Sequence, residues 1–321
     1  MDLQTKIPLK RQIHNQIDYD SKALFLGSCF SESIGQKFEY YKLQTVINPF
    51  GILFQPLAIE NLITRAVNQS YYEKNELLKV QDRWICLDVH SRLDRSSEDE
   101  ILDLLNHQID KTEQQLRTSS HIVITLGTSW VYRFIETDRV VANCHKIPQK
   151  KFLKALLKVE EIEESLHSIV SLIKSVNKEV SILFTISPIR HIKDGIIENN
   201  QSKSHLISAI HNIVDPHHKL YYFPAYEIMM DELRDYRFYK EDMIHPSQLA
   251  IDYIWEKFKT VWFTDEGLSM IESIGKIQAK RSHKPFNSDS VEHKKFLAQL
   301  KLDINNIHKK YPFISFLELD E

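Results

Sequence analysis

Glycine, cysteine and long apolar runs are all scarce in this chain, and each shortage narrows what it can be. With 7 glycines in 321 residues, each one merits reading for the turn it serves. The three cysteines, Cys29, Cys86 and Cys144, are odd in number and far apart, with no C-x-x-C pair. That pattern excludes a disulfide framework and a structural zinc site, and it suits a reducing compartment. No apolar stretch reaches the length of a membrane span, and residues 1–20 have no signal-peptide core. A soluble, cytoplasmic protein with no membrane partner is therefore expected. A basic excess is missing too. The formal net charge is -3 and the pI about 6.6, which excludes a dedicated nucleic-acid binder. There is no repeat and no low-complexity tract.

What remains is an ordinary globular composition, 42% hydrophobic and 26% charged, able to bury a sizeable core. The length suits one large domain with a helical appendage. Short continuous apolar runs at 23–26, 45–47, 121–126, 180–186 and 220–223 read as buried strands. Between them, apolar spacing predicts helices over 30–41, 56–79, 98–117, 159–177, 198–214 and 248–260. The alternating stretch 83–93 reads as a strand or hairpin, and 130–150 as mixed, with 143–148 a loop. Such alternation predicts a parallel sheet covered on both faces, that is, a three-layer α/β/α flavodoxin-like domain over residues 20–260. Residues 261–321 read as a mostly helical C-terminal extension, rich in Lys, Arg and His around 280–295.

In such folds ligands bind beyond the carboxyl ends of the strands. Those ends carry Gly27-Ser28-Cys29, Gly51, Gly127-Thr128-Ser129 and Ser187-Pro188. The first places small residues at the start of a helix, where free N–H groups and the dipole favour an anion. Far along the chain, Asp242-Met-Ile-His245-Pro246-Ser247 sets an acid and a base three residues apart, just before a helix. That spacing lets the Asp242 carboxylate turn back on to one ring nitrogen of His245 and leave the other free. Nucleophile, base, orienting acid and oxyanion donors are the parts of acyl transfer. The nucleophile here is Cys29 or Ser28.

These motifs resemble those of the GSCFA family, which belongs with the SGNH (GDSL-like) hydrolases. The resemblance runs over about residues 22–258. Leu26-Gly27-Ser28-Cys29-Phe30-Ser31-Glu32 matches the first block, Asn48-Pro-Phe-Gly51 supplies the second-block glycine, and Leu126-Gly127-Thr128-Ser129 resembles the third. Asp242-Met-Ile-His245-Pro-Ser is the fifth block and the most specific match. The resemblance implies an esterase or acyltransferase acting on a small acyl group, such as acetyl on a carbohydrate. Counted from Gly27, Cys29 holds the superfamily's serine position and Ser28 that of its aspartate, so the register favours a thiol nucleophile. A cysteine at a helix N-terminus beside a histidine is expected to be largely thiolate. Ser129 stands where the third block has asparagine, so Asn48 or Asn143 is a candidate replacement. The backbone N–H groups of Cys29 and Gly51 are the expected oxyanion donors.

Several residues have competing readings. Arg190, after the fourth strand, reads equally as a binder of a substrate carboxylate or phosphate and as a surface ion pair. Asn143 and His145 read as pocket lining; a metal on Cys144 and His145 is disfavoured, since adjacent residues rarely chelate together. The aromatic run from Tyr221 to Tyr239 reads as core or lid, with sugar stacking as the alternative. Lys146, Lys150, Lys151, Lys154 and Lys158 read as a solvated helix face, with docking of coenzyme A phosphates the lesser reading. No cofactor or metal is expected; the partners expected are an acyl ester and, for transfer, an acyl-coenzyme A donor. The alternative to catalysis is a ligand-binding protein that keeps the pocket.

Overall fold

A computed structural model describes residues 5–283, 286–287 and 290–316. Its centre is a parallel sheet made from the apolar runs noted above. The strands are β1 (Lys22–Gly27), β2 (Gln44–Ile47), β5 (His121–Leu126), β9 (Ser181–Ile186) and β10 (Leu220–Phe223), in the order β10-β9-β5-β1-β2. Renumbered within the sheet this is the 2-1-3-4-5 order of doubly wound flavodoxin-like folds. All its pairings are parallel, with Phe25 opposite Ile47 on one side and opposite Val123 on the other.

Successive side chains of a strand point to opposite faces, so a sheet buried on both faces needs unbroken apolar runs. Leu24, Leu26, Ile122, Ile124, Ile182 and Phe184 face one core. That core is closed by α2 (Pro56–Val67), α3 (Glu98–Thr118), α4 (Val159–Val176) and α5 (Ile196–Ile213). Phe25, Val123, Leu183 and Phe223 face the other. Here α1 (Cys29–Tyr40), α7 (Gln248–Trp262), α8 (Asp265–Arg281) and α9 (Val291–Lys310) pack, and a single turn, α6 (Ala225–Glu227), follows β10. Phe38 stands edge-on to Phe25 at 4.9 Å and to Trp255 at 5.6 Å, tying α1 to both β1 and α7. Each such fully buried aromatic contributes about 3 kcal/mol by area alone. The fold is therefore α/β with three layers. The terminal helices are part of its second core, since Ile271, Ile274 and Leu300 share a cluster with Phe25. Residues 284–285, 288–289 and 317–321, within the stretch read as a helical extension, lie outside the described residues.

Three local readings need correction. The helix expected over 56–79 ends at Val67, because Gln69 turns left-handed at φ 48°. The chain then forms an antiparallel hairpin of β3 (Leu78–Val80) and β4 (Arg83–Ile85). Residues 130–156 build a small antiparallel sheet from β6 (Trp130–Phe134), β7 (Arg139–Val141) and β8 (Phe152–Leu156), in the order β7-β6-β8. The lysines read as a helix face thus sit on or beside an edge strand, where exposed lysine discourages pairing with another chain. Lys154 pairs with Asp194 at 2.6 Å and Lys151 with Glu136 at 2.7 Å. Within the aromatic run, Tyr221 and Phe223 are core, whereas Tyr236 is exposed. Among the described residues no helix is long and apolar enough to cross a membrane.

The end of β1 passes very close to β5. Gly27 has φ +124°, and a Cβ there would lie 2.1 Å from the Thr125 carbonyl oxygen on β5. No side chain fits that gap, and L-residues avoid the backbone conformation as well. Gly27→Ala is expected to lower unfolding free energy by about 2 kcal/mol or more, measured by urea denaturation.

Candidate active site

The strand end at Gly27 passes directly into α1. Ser28 is its N-cap: fully buried, its Oγ accepts from the Phe30 N–H at 3.3 Å, while its own N–H donates to Thr125 O at 3.0 Å. The hydroxyl is thereby turned into the helix start and away from solvent. Cys29, one residue on, is partly exposed at the first helical position. Its sulfur faces its own N–H and that of Phe30, and it feels the positive charges of Lys203 and Lys240. Burial nevertheless outweighs these and pushes the thiol above its ordinary value. The expectation of a standing thiolate is therefore corrected: desolvation disfavours the anion more than the helix start and the two ammonium groups favour it.

The Asp–His pair lies on the loop between Tyr236 and Ser247. His245 Nδ1 is 2.7 Å from Asp242 Oδ2, and Asp242 Oδ1 accepts the N–H groups of Ile244 and His245, each at 2.9 Å. Those backbone bonds, with the ring contact after them, hold the Asp242 carboxyl down at about 2. Lys240 N–H donates to the His245 carbonyl at 2.8 Å, and Ser247 N–H to Phe238 O at 2.8 Å, closing the loop as a tight hairpin. Met243 at its tip takes φ 58°, uncommon for a residue with a side chain. Pro246 and the Ser247 cap, whose Oγ accepts from Ala250 N–H at 3.4 Å, start α7 directly behind it. Arg190 NH1 donates to Tyr239 Oη at 3.0 Å, and NH2 lies 2.8 Å from Met230 Sδ, so this guanidinium braces the loop. The surface ion pair, one of the two readings of Arg190, is thus not formed; its partners are Tyr239 and Met230.

Between loop and sheet lie two residues, His191 and Lys203, to which sequence reading gave no role. His191 stands edge-on to Phe54 at 4.9 Å and over Gly127, where a Cβ would come within 2.9 Å of its Nε2. Burial first, then the charge of Lys203, lowers it to about 4, so the ring is neutral at physiological pH. His245 also acts on it, which places the two rings in one neighbourhood. Lys203 on α5 is buried, with Nζ donating to the carbonyls of Gly127 at 2.7 Å and Ser187 at 2.8 Å. A signal for it existed: Lys203 falls on the helix stripe of Asn199, Leu206 and Ile210, where an apolar residue would be normal.

Other expected site residues are occupied elsewhere. Ser129 is fully buried, its Oγ bonded to Ser202 O and Oγ at 3.1 Å each, and cannot stand in for an oxyanion-binding asparagine. Asn48 Oδ1 accepts the Gly27 N–H at 2.8 Å and its Nδ2 faces Glu32 at 3.5 Å, so it secures the strand end. The Gly51 N–H closes a turn on to Asn48 O at 2.8 Å and is not free to meet an oxyanion. His145 is buried between Val89 O, at 3.0 Å, and Asp94 Oδ1, at 3.1 Å, away from the pocket it was expected to line. Asn143 is different. Its Oδ1 accepts the His145 N–H at 2.9 Å, and it lines a cavity of 220 Å³ with Phe54, Trp130, Tyr132 and His191. A wider, open groove of 790 Å³ among Lys174, Asp215 and Lys219 lies at the opposite ends of the strands. Among the described residues no three His, Cys, Asp or Glu side chains converge as metal ligands.

The arrangement defines a class: a doubly wound α/β protein with a cysteine at the end of its first strand and an Asp–His pair before its last sheet-covering helices. The GSCFA family model matches residues 22–258, and that of the GSCFA domain protein, C-terminal domain, matches 274–319. The chain belongs to the GSCFA family. No curated protein matches it. Among solved structures, a carbohydrate esterase family 3 crystal structure from Talaromyces cellulolyticus aligns with a TM-score of 0.37 and 8% identity, over 80% of this chain and 99% of that one.

Two outcomes follow from these positions. Ser28→Ala removes a helix cap and is expected to cost about 1 kcal/mol of stability in urea denaturation while leaving Cys29 open to alkylation. Iodoacetamide labelling of Cys29, followed by peptide mass spectrometry, is expected to keep rising above about pH 8.5, where an unperturbed thiol is half ionised. A plateau already reached at neutral pH would contradict the burial argument.

Proposed function

We propose that this protein is an acyl-ester hydrolase or acyltransferase that uses Cys29 as nucleophile and His245 as base. The observation that carries this reading is the 2.7 Å contact of Asp242 with His245, made by a carboxylate already held by two backbone N–H groups. With Nδ1 so engaged, Nε2 is the nitrogen left to take a proton. In the first half-reaction His245 Nε2 accepts the Cys29 proton as the sulfur bonds to the acyl carbonyl carbon. The tetrahedral oxyanion meets the N–H of Cys29. Collapse breaks the carbon–oxygen ester bond, and the proton on His245 leaves with the alcohol. In the second half His245 takes a proton from water or an acceptor hydroxyl, which attacks the thioester and returns Cys29 to its thiol. Asp242 stabilises the imidazolium and fixes its orientation throughout.

A small acyl group is the reading we favour. The 220 Å³ cavity beside His191, which Cys29 and His245 themselves do not line, is below the roughly 300–1,000 Å³ of pockets for drug-sized ligands. Trp130 and Tyr132 in its wall offer aromatic faces of the kind on which sugar rings stack, which favours acetyl carried on a carbohydrate. Transfer from acyl-coenzyme A draws less support, since Lys151, Lys154 and Arg190 already have partners. A second reading, ligand binding without turnover, is favoured by one observation. The Gly51 N–H, the expected backbone donor besides Cys29, is engaged elsewhere, as are Ser129 at the third block and its candidate replacement Asn48.

The test is hydrolysis of 4-nitrophenyl acetate and of acetylated sugars, with transfer from acetyl-coenzyme A assayed in parallel. Cys29→Ala is expected to abolish turnover. Asp242→Asn is expected to lower kcat by about a thousandfold or more with little change in KM. Turnover that survives Cys29→Ala would remove the thiol mechanism, and binding of acetylated sugars without release of acetate would favour the second reading.

A further inference from the structure

Helix caps are usually Ser, Thr, Asp or Asn, and α2 is capped by Gln55 instead. Its Oε1 accepts the Ala58 N–H at 3.1 Å, which fixes the two ends of the amide and leaves Nε2 with its two hydrogens to donate. Gln55 is only 4% exposed, and among the described residues no acceptor reaches Nε2. A buried donor left unanswered is costly, and native structures keep few of them. His191 Nε2 is a second buried atom with no partner among the described residues. It lies over Gly127, where a Cβ would come within 2.9 Å, so the glycine makes room for the ring. Gln55 and His191 line the same 220 Å³ cavity. Other polar groups of its wall are engaged. Trp130 Nε1 donates to Glu198 O at 3.2 Å, Tyr132 Oη donates to Asp194 Oδ1 at 3.2 Å, and Thr128 Oγ1 bonds Ser202 Oγ at 3.0 Å. The Gln55 corner is itself fixed, since the Phe54 carbonyl accepts the N–H groups of Gly127 at 2.7 Å and Thr128 at 3.0 Å.

We propose that this cavity is a binding subsite for an acetyl group carried on a sugar, its carbonyl oxygen accepting from Gln55 Nε2 and a neighbouring N–H or hydroxyl bonding to His191 Nε2. An amide nitrogen only donates, so the ligand must bring an acceptor. That acceptor is a neutral carbonyl, because a buried carboxylate would find no free buried cation in the described wall. Lys154 is paired with Asp194 at 2.6 Å, Lys193 is exposed, and burial lowers His191 to about 4, leaving its ring neutral. Phe54, Trp130 and Val141 supply apolar wall for the acetyl methyl. The sugar part of this assignment rests on the carbohydrate reading above; the carbonyl contact does not require Cys29 to react.

The test is calorimetric titration with the methyl glycoside of N-acetylglucosamine, whose amide stands in for the ester carbonyl, against methyl glucoside and acetate. The acetamido sugar is expected to bind about tenfold or more tighter than either. Gln55→Glu keeps an oxygen to cap α2 and removes the donor, so the folded variant should lose about tenfold or more in affinity for that sugar. Absence of binding, equal affinity for methyl glucoside, tighter binding of acetate, or undiminished binding by folded Gln55→Glu overturns the proposal. Should the variant fail to fold, the half-buried Cys144 on the cavity wall reports in the wild-type chain. Saturating acetamido sugar should slow its alkylation by about fivefold or more, and an unprotected Cys144 overturns the proposal. Cys29→Ala should bind the sugar as the wild-type protein does, so a failure of ester turnover leaves these readings intact.

Discussion

At the carboxyl end of β1 the chain must pass so close to β5 that only a glycine fits, and the rest of the site hangs on that passage. Gly27 donates its N–H to the Asn48 side chain at 2.8 Å and accepts from Leu53 N–H at 3.0 Å, while Ser28 N–H reaches Thr125 O at 3.0 Å. Three segments, the ends of β1 and β5 and the loop after β2, are thereby locked to one point. The next residue but one, Cys29, can then have only one address: the first turn of α1, at the rim of the sheet. Ser28 cannot share that address, because capping the helix uses its hydroxyl.

The chemistry of the site is a contest between burial and charge. Burial raises the Cys29 thiol, lowers His191 and lowers Lys203, each toward its neutral form. Against this stand the helix start and two ammonium groups at the sulfur, and the backbone N–H pair at Asp242. Burial wins at Cys29 and the backbone bonds win at Asp242, because Asp242 is solvated and needs no compensation for lost water. The result is a neutral thiol at the start of α1 and a strongly ionised acid on the loop before α7. Arg190 fastens that loop through Tyr239.

Much of this was legible in the chain. The five strands announce themselves as short, mostly apolar runs, because both faces of a parallel sheet are buried and favour apolar side chains, with His121, Thr125, Ser181 and Thr185 as buried polar exceptions. The D-x-x-H spacing carries the Asp242–His245 contact, because residues three apart in a capped turn lie within reach of each other. The β6-β7-β8 sheet was less legible: its strands are short and carry charged residues at Arg133, Arg139 and Lys154, and edge strands lack the periodicity that marks a buried one. Helix α2 also ended early, at a left-handed Gln69 that no composition signal marks.

The sequence by itself thus determined the layered α/β architecture, the register that puts Cys29 one residue inside a helix, and the pairing of Asp242 with His245. These depend on local spacing and on which runs must be buried. Only the tertiary structure decided who is free to act. Ser129 and Gly51 lose their donors to Ser202 and Asn48, His145 is drawn to Asp94, and Lys203 is brought from α5 to the carbonyls of Gly127 and Ser187. Each of those outcomes is a contact between residues distant in the chain or a balance of desolvation against charge, and neither quantity is written in the order of residues.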